Sequence, residues 1–242
     1  MDEKKVALIV GAGDAIGSAI ATEFASKGYT VVMVRRSKDA VQSCAVKLRE
    51  QGYDAYGFAL DARDEDQVVG FFEKVESEIG LLDVVVFNVG ANVPMSILAT
   101  DSRKFRKIWE MACFAGFLVG REAARKMVPR QKGSILFTGA TASVRGGAMF
   151  GAFASAKHGL RALAQSMARD LGPKNIHVAH VVIDAAVDTQ WIRENLPDYE
   201  RLSETDGIVK PEDLAKNYVF LHEQPRNAWT FELDVRPWFE RW

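Results

Sequence analysis

Residues 5–17 read KVALIVGAGDAIG, and this stretch decides the fold. An apolar run at 6–10 leads into glycines at 11, 13 and 17, where a helical repeat begins. Glycine lets a backbone approach a pyrophosphate, and a helix N-terminus offers unpaired N–H groups and the positive end of a dipole. A buried strand, a tight turn and a helix start therefore predict a phosphate-binding turn, although many glycine turns bind nothing.

Strand and helix patterns alternate along the rest of the chain. Apolar runs predict strands at 6–10, 30–34, 55–60, 82–87, 134–137, 176–183 and 229–235. Helical repeats follow at 17–27, 39–51, 68–79, 103–128, 150–171 and 211–221, with an irregular segment at 188–210. Continuous apolar strands are buried on both faces, so we predict an α/β fold: a doubly wound parallel sheet of about seven strands with helices on both faces.

Composition limits the classes of function. The 242 residues are 48% hydrophobic and 26% charged with a net charge of −1, so one globular domain over 1–242 is expected and nucleic acid is a disfavoured partner. Cys44 and Cys113 give no disulfide framework, and no apolar run is long enough for a membrane helix. The first strand leaves no room for a signal peptide, so we expect a cytoplasmic protein. His177 and His180 would face opposite sides of a strand, so no metal site is predicted.

The spacing of the first turn carries a family resemblance. Gly11, Ala15 and Gly17 follow G-x-x-x-G-x-G better than G-x-G-x-x-G, because Ile16 occupies the third position of the latter. Here the sequence resembles the short-chain dehydrogenase/reductase family, with a Rossmann-like fold. Further matches follow in the family's order over nearly the whole chain: Asp61, Asn88-Val89-Gly90, Phe153 to Lys157, Val187-Asp188-Thr189, and Pro211 to Ala215.

The resemblance implies a nicotinamide dinucleotide, and two arginines indicate which one. Arg35 and Arg36 end the second strand, where an acidic residue would bind the ribose hydroxyls of NAD(H). Guanidinium groups suit a 2′-phosphate, so NADP(H) is preferred, although a solvated basic loop remains the alternative. The expected cofactor contacts are Gly11, Gly13, Ala15, Ile16, Gly17, Arg35, Arg36, Asp61, Asn88, Gly90, Lys157, Val187 and Thr189.

The catalytic group that the resemblance implies is largely missing. The family uses Asn, Ser, Tyr and Lys, with the Tyr phenol moving the proton and the Lys lowering its pKa. Only Lys157 matches, while Phe153, Ala140 and Cys113 fill the Tyr, Ser and Asn positions. A benzyl ring carries no acidic proton, so the family's acid/base mechanism cannot run through Phe153.

Several side chains are candidates for a replacement proton donor. Asp184, after the sixth strand, either donates a proton or orients its loop. Cys113 is a thiol acid or a packing residue, and Tyr199 would have to swing in from the 188–210 segment. Alternatively, no acid is needed, because an iminium ion or a conjugated acceptor takes hydride without one.

Two functions therefore stay open. The first is an NADP(H)-dependent oxidoreductase with a degenerate catalytic group that acts on an unknown small molecule. The second is a catalytically silent dinucleotide-binding protein that acts as a sensor or an assembly partner. Residues 188–222, the lid segment, are expected to cover a substrate, with Trp191, Ile192 and Leu196 either facing it or packing on the core. The last strand and tail occupy 229–242. The family resemblance implies a homodimer or homotetramer, and the aromatic tail at 238–242 is expected to pack at its subunit interface.

Overall fold

Seven parallel strands form one sheet in the structure, a computed structural model that describes residues 4–240. The strands are β1 (Lys5–Val10), β2 (Thr30–Arg35), β3 (Ala55–Ala59), β4 (Leu81–Phe87), β5 (Ser134–Thr138), β6 (His177–Ile183) and β7 (Glu232–Val235). They lie in the order β3-β2-β1-β4-β5-β6-β7, and every pairing is parallel. The predicted doubly wound sheet is confirmed.

Helices cover both faces of this sheet, because alternate residues of each strand enter different apolar layers. Leu8 and Val10 of β1 pack into one layer, whereas Ala7 and Ile9 pack into the other. The helices are α1 (Ile16–Ser26), α2 (Lys38–Glu50), α3 (Glu65–Glu78), α4 (Ser102–Trp109), α5 (Ala115–Met127), α6 (Gly151–Leu171), α7 (Gln190–Asn195), α8 (Tyr199–Glu204) and α9 (Pro211–Glu223).

Two element predictions need correction, and one predicted helix holds an unexpected turn. The helix expected over 103–128 is continuous and contains a π-helical turn at Glu110–Phe114 between α4 and α5. The segment expected to be irregular at 188–210 holds α7 and α8, and the Thr189 side chain begins α7 by accepting a hydrogen bond from the Ile192 N–H. The last strand begins at Glu232 rather than at residue 229.

The order of the strands places the site. β1 lies between β2 and β4, so the chain turns in opposite directions from β1 and from β4, and a crevice opens where their carboxyl ends diverge. Within residues 4–240 no helix is both long and apolar enough to cross a membrane, and no group of three metal-ligating side chains occurs.

Candidate functional site

The glycine turn between β1 and α1 is held by close backbone contacts. Gly11 has a φ of +93°, and a Cβ there would lie 2.6 Å from the Asn88 carbonyl oxygen. A Cβ at Gly17 would lie 2.5 Å from the Gly11 carbonyl oxygen. These two positions require glycine because the turn packs against β4 and against the start of its own helix.

The same turn leaves room for a ligand. A Cβ at Gly13 or at Gly90 would meet no atom within 4 Å. Ala15, at the N-cap of α1, supplies no side-chain cap, and the first turn carries no acidic residue. The helix therefore presents unpaired N–H groups to open space, an arrangement that fits the pyrophosphate of a dinucleotide.

These groups line a cleft of about 980 Å³ along the carboxyl edge of the sheet. The cleft runs from the glycine turn past the ends of β4 and β5 to the lid segment. It brings together many of the predicted site residues: Gly11, Gly13, Ala15, Ile16, Gly17, Asn88, Gly90, Ala140, Phe153, Lys157 and Thr189. Cys113, Asp184 and Val187 lie outside its lining.

A smaller cavity at the end of β2 collects Arg35, Arg36 and Asp61. Arg35 Nη1 donates to Asp14 Oδ1 at 2.8 Å, while Arg36 is exposed. Arg63 Nε donates to Asp61 Oδ1 at 2.9 Å, and this hydrogen bond lowers the pKa of the Asp61 carboxyl. The cavity therefore holds three guanidinium groups, two of which are already paired: Arg35 with Asp14 and Arg63 with Asp61.

Backbone and amide contacts order the wall that the cleft shares with β4 and β6. Asn88 Nδ2 donates to the Gly11 carbonyl at 3.1 Å, so the amide clamps the glycine turn. Val187 is buried and forms an isolated parallel bridge with Val209, which brings the residue before the lid segment beside the stretch that leads into α9. Thr189 faces the cleft at the start of α7.

Lys157 is the one matching member of the expected catalytic group, and it is almost fully buried. Its Nζ donates to the Thr138 carbonyl at 2.8 Å and to the Val89 carbonyl at 3.3 Å. Burial lowers the pKa of the ammonium from 10.5 to about 8, with a small opposing contribution from Cys113. Lys157 is therefore mostly protonated at neutral pH, and its hydrogen bonds go to backbone carbonyls and not to a carboxylate.

The inner end of the cleft around Lys157 is apolar. Phe153 lies four residues before Lys157 on α6, and its ring centroid is 5.8 Å from Lys157 Nζ. Cys113 and Phe153 belong to one apolar cluster against which Ala140 packs. Burial raises the pKa of the Cys113 thiol. The three residues in the Asn, Ser and Tyr positions therefore pack in one hydrophobic cluster, of which Ala140 and Phe153 line the cleft.

Each hydroxyl group next to Ala140 in the sequence has a hydrogen-bond partner within the protein. Thr138 Oγ1 is hydrogen-bonded to the Tyr218 hydroxyl at 2.7 Å, and Ser143 Oγ accepts from the Ala140 N–H at 3.1 Å. Thr141 Oγ1 donates to Asp184 Oδ1 at 2.5 Å, and Arg145 also reaches this oxygen, at 3.2 Å. The contacts of Asp184 support its role in orienting the loop, and its role as an acid stays a prediction.

The lid segment and the tail contact each other. Trp191 lines the cleft and is 63% exposed, whereas the Tyr199 hydroxyl donates to Asp188 at 2.8 Å. Trp238 Nε1 donates to the Thr205 carbonyl at 3.1 Å, and the Phe239 ring packs on Gly207. Residues 241 and 242 of the tail lie outside the described residues.

Sequence reasoning missed Asp14, Arg63 and Arg145. Asp14 lies inside the glycine turn, so its pairing with Arg35 depends on how the β2 end folds back. Arg63 follows Asp61 by two residues, and opposite charges at that spacing in a loop could have predicted their ion pair. Arg145 bridges Asp184 and Glu240, at 3.2 and 3.6 Å, and no sequence pattern connects these three positions.

Comparisons with known proteins agree with this geometry. A family model described as short chain dehydrogenase matches residues 5–200. An uncharacterized oxidoreductase of Bacillus subtilis (strain 168), YxjF, is 32% identical over 207 residues, which is 85% of this chain and 78% of that protein. In eight curated relatives, the aligned part covers between 62% and 88% of the relative.

Two solved structures are similar over nearly the whole chain. A short-chain dehydrogenase from Rhodopseudomonas palustris is 46% identical, with a TM-score of 0.82 over 97% of this chain and 99% of that one. An alcohol dehydrogenase from the archaeon Thermococcus sibiricus, complexed with 5-hydroxy-NADP, is 27% identical, with a TM-score of 0.85 over 99% of each chain.

Proposed function

This chain belongs to the short-chain dehydrogenase family of oxidoreductases, and from that premise we propose that it is an NADP(H)-dependent oxidoreductase that transfers hydride without a tyrosine acid. One observation carries the proposal. Lys157 and the glycine turn line a single cleft, while Phe153 and Ala140 fill its inner end. The cofactor-binding side of the cleft is intact, and the acid/base side is apolar.

A bound nicotinamide dinucleotide would supply the hydride, and the residues that would hold it are those of the cleft. The α1 N-terminus and Gly13 would receive the pyrophosphate, and Lys157 would contact the nicotinamide ribose. Phe153 and Ala140 would keep water from the reacting end, since neither offers it a hydrogen bond. An acceptor that needs no protein acid, such as an iminium ion or a conjugated compound, suits this arrangement.

Preference for NADP(H) rests on Arg35 and Arg36 in the smaller cavity. Arg35 is paired with Asp14, whereas Arg36 has no ion-pair partner among residues 4–240 and can meet a 2′-phosphate. Arg36→Ala should weaken NADP⁺ binding by about tenfold, the scale of one charge-assisted hydrogen bond, with NAD⁺ affinity unchanged. Lys38→Ala, outside the cavity lining, is the matched control in isothermal titration calorimetry. Equal affinity of the wild type for both cofactors would refute the preference.

A second function is favoured by one observation: among the described residues, the inner end of the cleft is lined by no carboxyl or phenol group. A silent dinucleotide-binding protein would bind NADPH through the same residues and leave it unchanged. Sustained NADPH consumption with an acceptor distinguishes the two functions, because a sensor binds its cofactor without turnover.

A further inference from the structure

The ammonium of Lys157 has no counter-ion in the protein. Two of its three N–H groups donate to backbone carbonyls, those of Thr138 and Val89. No carboxylate pairs with it in the part of the chain that the structure describes, and the ionisable groups that interact with its charge are the Cys113 thiol and the His180 imidazole. A buried positive charge of this kind attracts negative charge and repels a second cation, since the surroundings screen it weakly.

The surroundings of this charge favour an apolar ligand. The Phe153 ring centroid is 5.8 Å from Lys157 Nζ, and Phe153 belongs to one apolar cluster with Cys113, against which Ala140, Met95, Met111 and Phe150 pack. Farther out, Ile97, Leu98 and Met149 are exposed. The Met95 N–H donates to the Met149 carbonyl at 2.6 Å, so the two loops that carry these side chains are joined beside α6. An apolar surface therefore extends from Phe153 toward the solvent.

We propose, on the basis of the proposed function, that the substrate is a neutral α,β-unsaturated carbonyl compound with an apolar body, and that Lys157 supplies the countercharge for its oxygen. A cationic iminium ion is disfavoured because the same ammonium would repel it. A simple ketone is disfavoured because hydride addition to it leaves a localised alkoxide, which is far more basic than an enolate, and the alcohol product would keep the proton that this alkoxide draws from Lys157.

The reaction balances with one co-reactant and one proton. The β-carbon gains the hydride of the reduced cofactor, the carbon–carbon π pair moves toward oxygen, and an enolate forms beside Lys157. The α-carbon then takes a proton from water, which gives the saturated carbonyl compound, while the cofactor leaves oxidised. Any proton that Lys157 lends to the enolate oxygen returns to it when the enol becomes the carbonyl compound, so the net proton comes from water. Since its pKa is about 8, the rate should fall as the pH rises past that value and the countercharge is lost.

Product analysis tests the substrate class. The wild-type protein is incubated with NADPH deuterated at the transferred position and with benzylideneacetone, its saturated analogue benzylacetone, or an N-methyl dihydroisoquinolinium ion. Deuterium at the β-carbon of benzylideneacetone supports the inference. Reduction of the iminium ion alone overturns it and leaves the proposed function standing. Deuterium at the carbinol carbon of either ketone overturns both, because the proposed function expects little ketone reduction without a protein acid. Deuterium in no product, with NADPH bound, overturns both.

A binding measurement tests the countercharge without turnover. 4-Nitrophenol, an enolate analogue whose anion has its own absorbance, is titrated into the complex with NADP⁺. The bound phenol should ionise at least tenfold more readily than in water, the effect of about one pKa unit from a nearby opposite charge. Lys157→Arg should keep this shift and Lys157→Met should lose it, in variants shown by calorimetry to bind NADP⁺. A phenol that binds in its neutral form, or does not bind, contradicts the role of Lys157.

Discussion

Gly13 and Gly17 lie four residues apart in the glycine turn, and a methyl group added at each would meet different surroundings. Gly17→Ala should lower the free energy of unfolding by about 1–3 kcal/mol, because its Cβ would lie 2.5 Å from the Gly11 carbonyl oxygen. Gly13→Ala should leave stability unchanged and weaken NADP⁺ binding, since its Cβ would point into open space. Urea unfolding and calorimetry on both variants measure this, and equal stability of the two would contradict it.

Phe153 is the residue whose replacement tests the missing acid. Phe153→Tyr places a hydroxyl on the ring whose centroid is 5.8 Å from Lys157 Nζ. We expect activity on simple ketones to rise on the order of 10²-fold, the lower range for a positioned general acid, because Ala140 still provides no second hydroxyl. Phe153→Leu is the control for altered packing. Unchanged ketone turnover in the tyrosine variant would show that the missing phenol does not limit the reaction.

At the residue scale, sequence spacing predicted the side-chain neighbours that lie on one helix, because helix geometry fixes them. Four residues separate Phe153 from Lys157, so their shared helix face followed directly from the sequence. The pairing of Arg63 with Asp61 and of Arg145 with Asp184 and Glu240 did not follow, because loop side chains at these positions meet through backbone paths that have no periodicity.

Among the elements, the lid segment differs most from expectation. Residues 190–195 and 199–204 are short helices fixed by side-chain contacts: Thr189 begins α7, and Asp188 binds both Arg193 and Tyr199. Such helices are too short for a periodic signal. The sequence also did not predict the π-helical turn at Glu110–Phe114, because one extra residue in a turn leaves the apolar pattern of a long helix almost unchanged.

The tail should restrain the lid segment, because the ring of Phe239 packs on Gly207 next to α8. Phe239→Ala should speed amide hydrogen exchange over 199–207 and leave β6 unaffected. Phe220→Ala, another exposed phenylalanine, located on α9, is the matched control. Exchange that is unchanged in the Phe239 variant would show that the tail contact contributes nothing to the order of the lid.

At the scale of the whole molecule, a cluster of buried titratable side chains between β4 and α9 is expected to determine how the free energy of unfolding falls at low pH. Asp83 lies near Tyr29, Lys132 and His222. Burial alone would raise the pKa of Asp83, but the hydrogen bond and charge of His222, together with Lys132, lower it from 3.8 to about 2.

A carboxyl group whose pKa is lower in the folded than in the unfolded protein stabilises the fold when the pH is above the unfolded pKa. That stabilisation is lost as the pH falls through the pKa of the folded protein. Asp83→Asn should therefore cost about 2 kcal/mol of unfolding free energy at neutral pH. The difference from wild type should shrink between about pH 4 and pH 2. Urea unfolding across this range measures it, and a constant difference would assign the effect to packing instead of charge.

Assembly is the remaining proposal at the scale of the whole molecule. Trp238 is 80% exposed in the isolated chain, so we propose that the tail also contacts a second copy in a homodimer or homotetramer. Deleting residues 238–242 should lower the mass measured by light scattering. A variant with wild-type mass would remove the tail from the interface.

The central claim is that this cleft binds NADPH and transfers hydride without a protein phenol. Its most direct test follows NADPH absorbance after the wild-type protein is mixed with acceptors that need no protein acid and with simple ketones. The account predicts rapid NADPH oxidation with an acceptor of the first kind and slow or no oxidation with ketones. Ketone reduction at a comparable rate, or tight NADPH binding with no acceptor ever reduced, would contradict it.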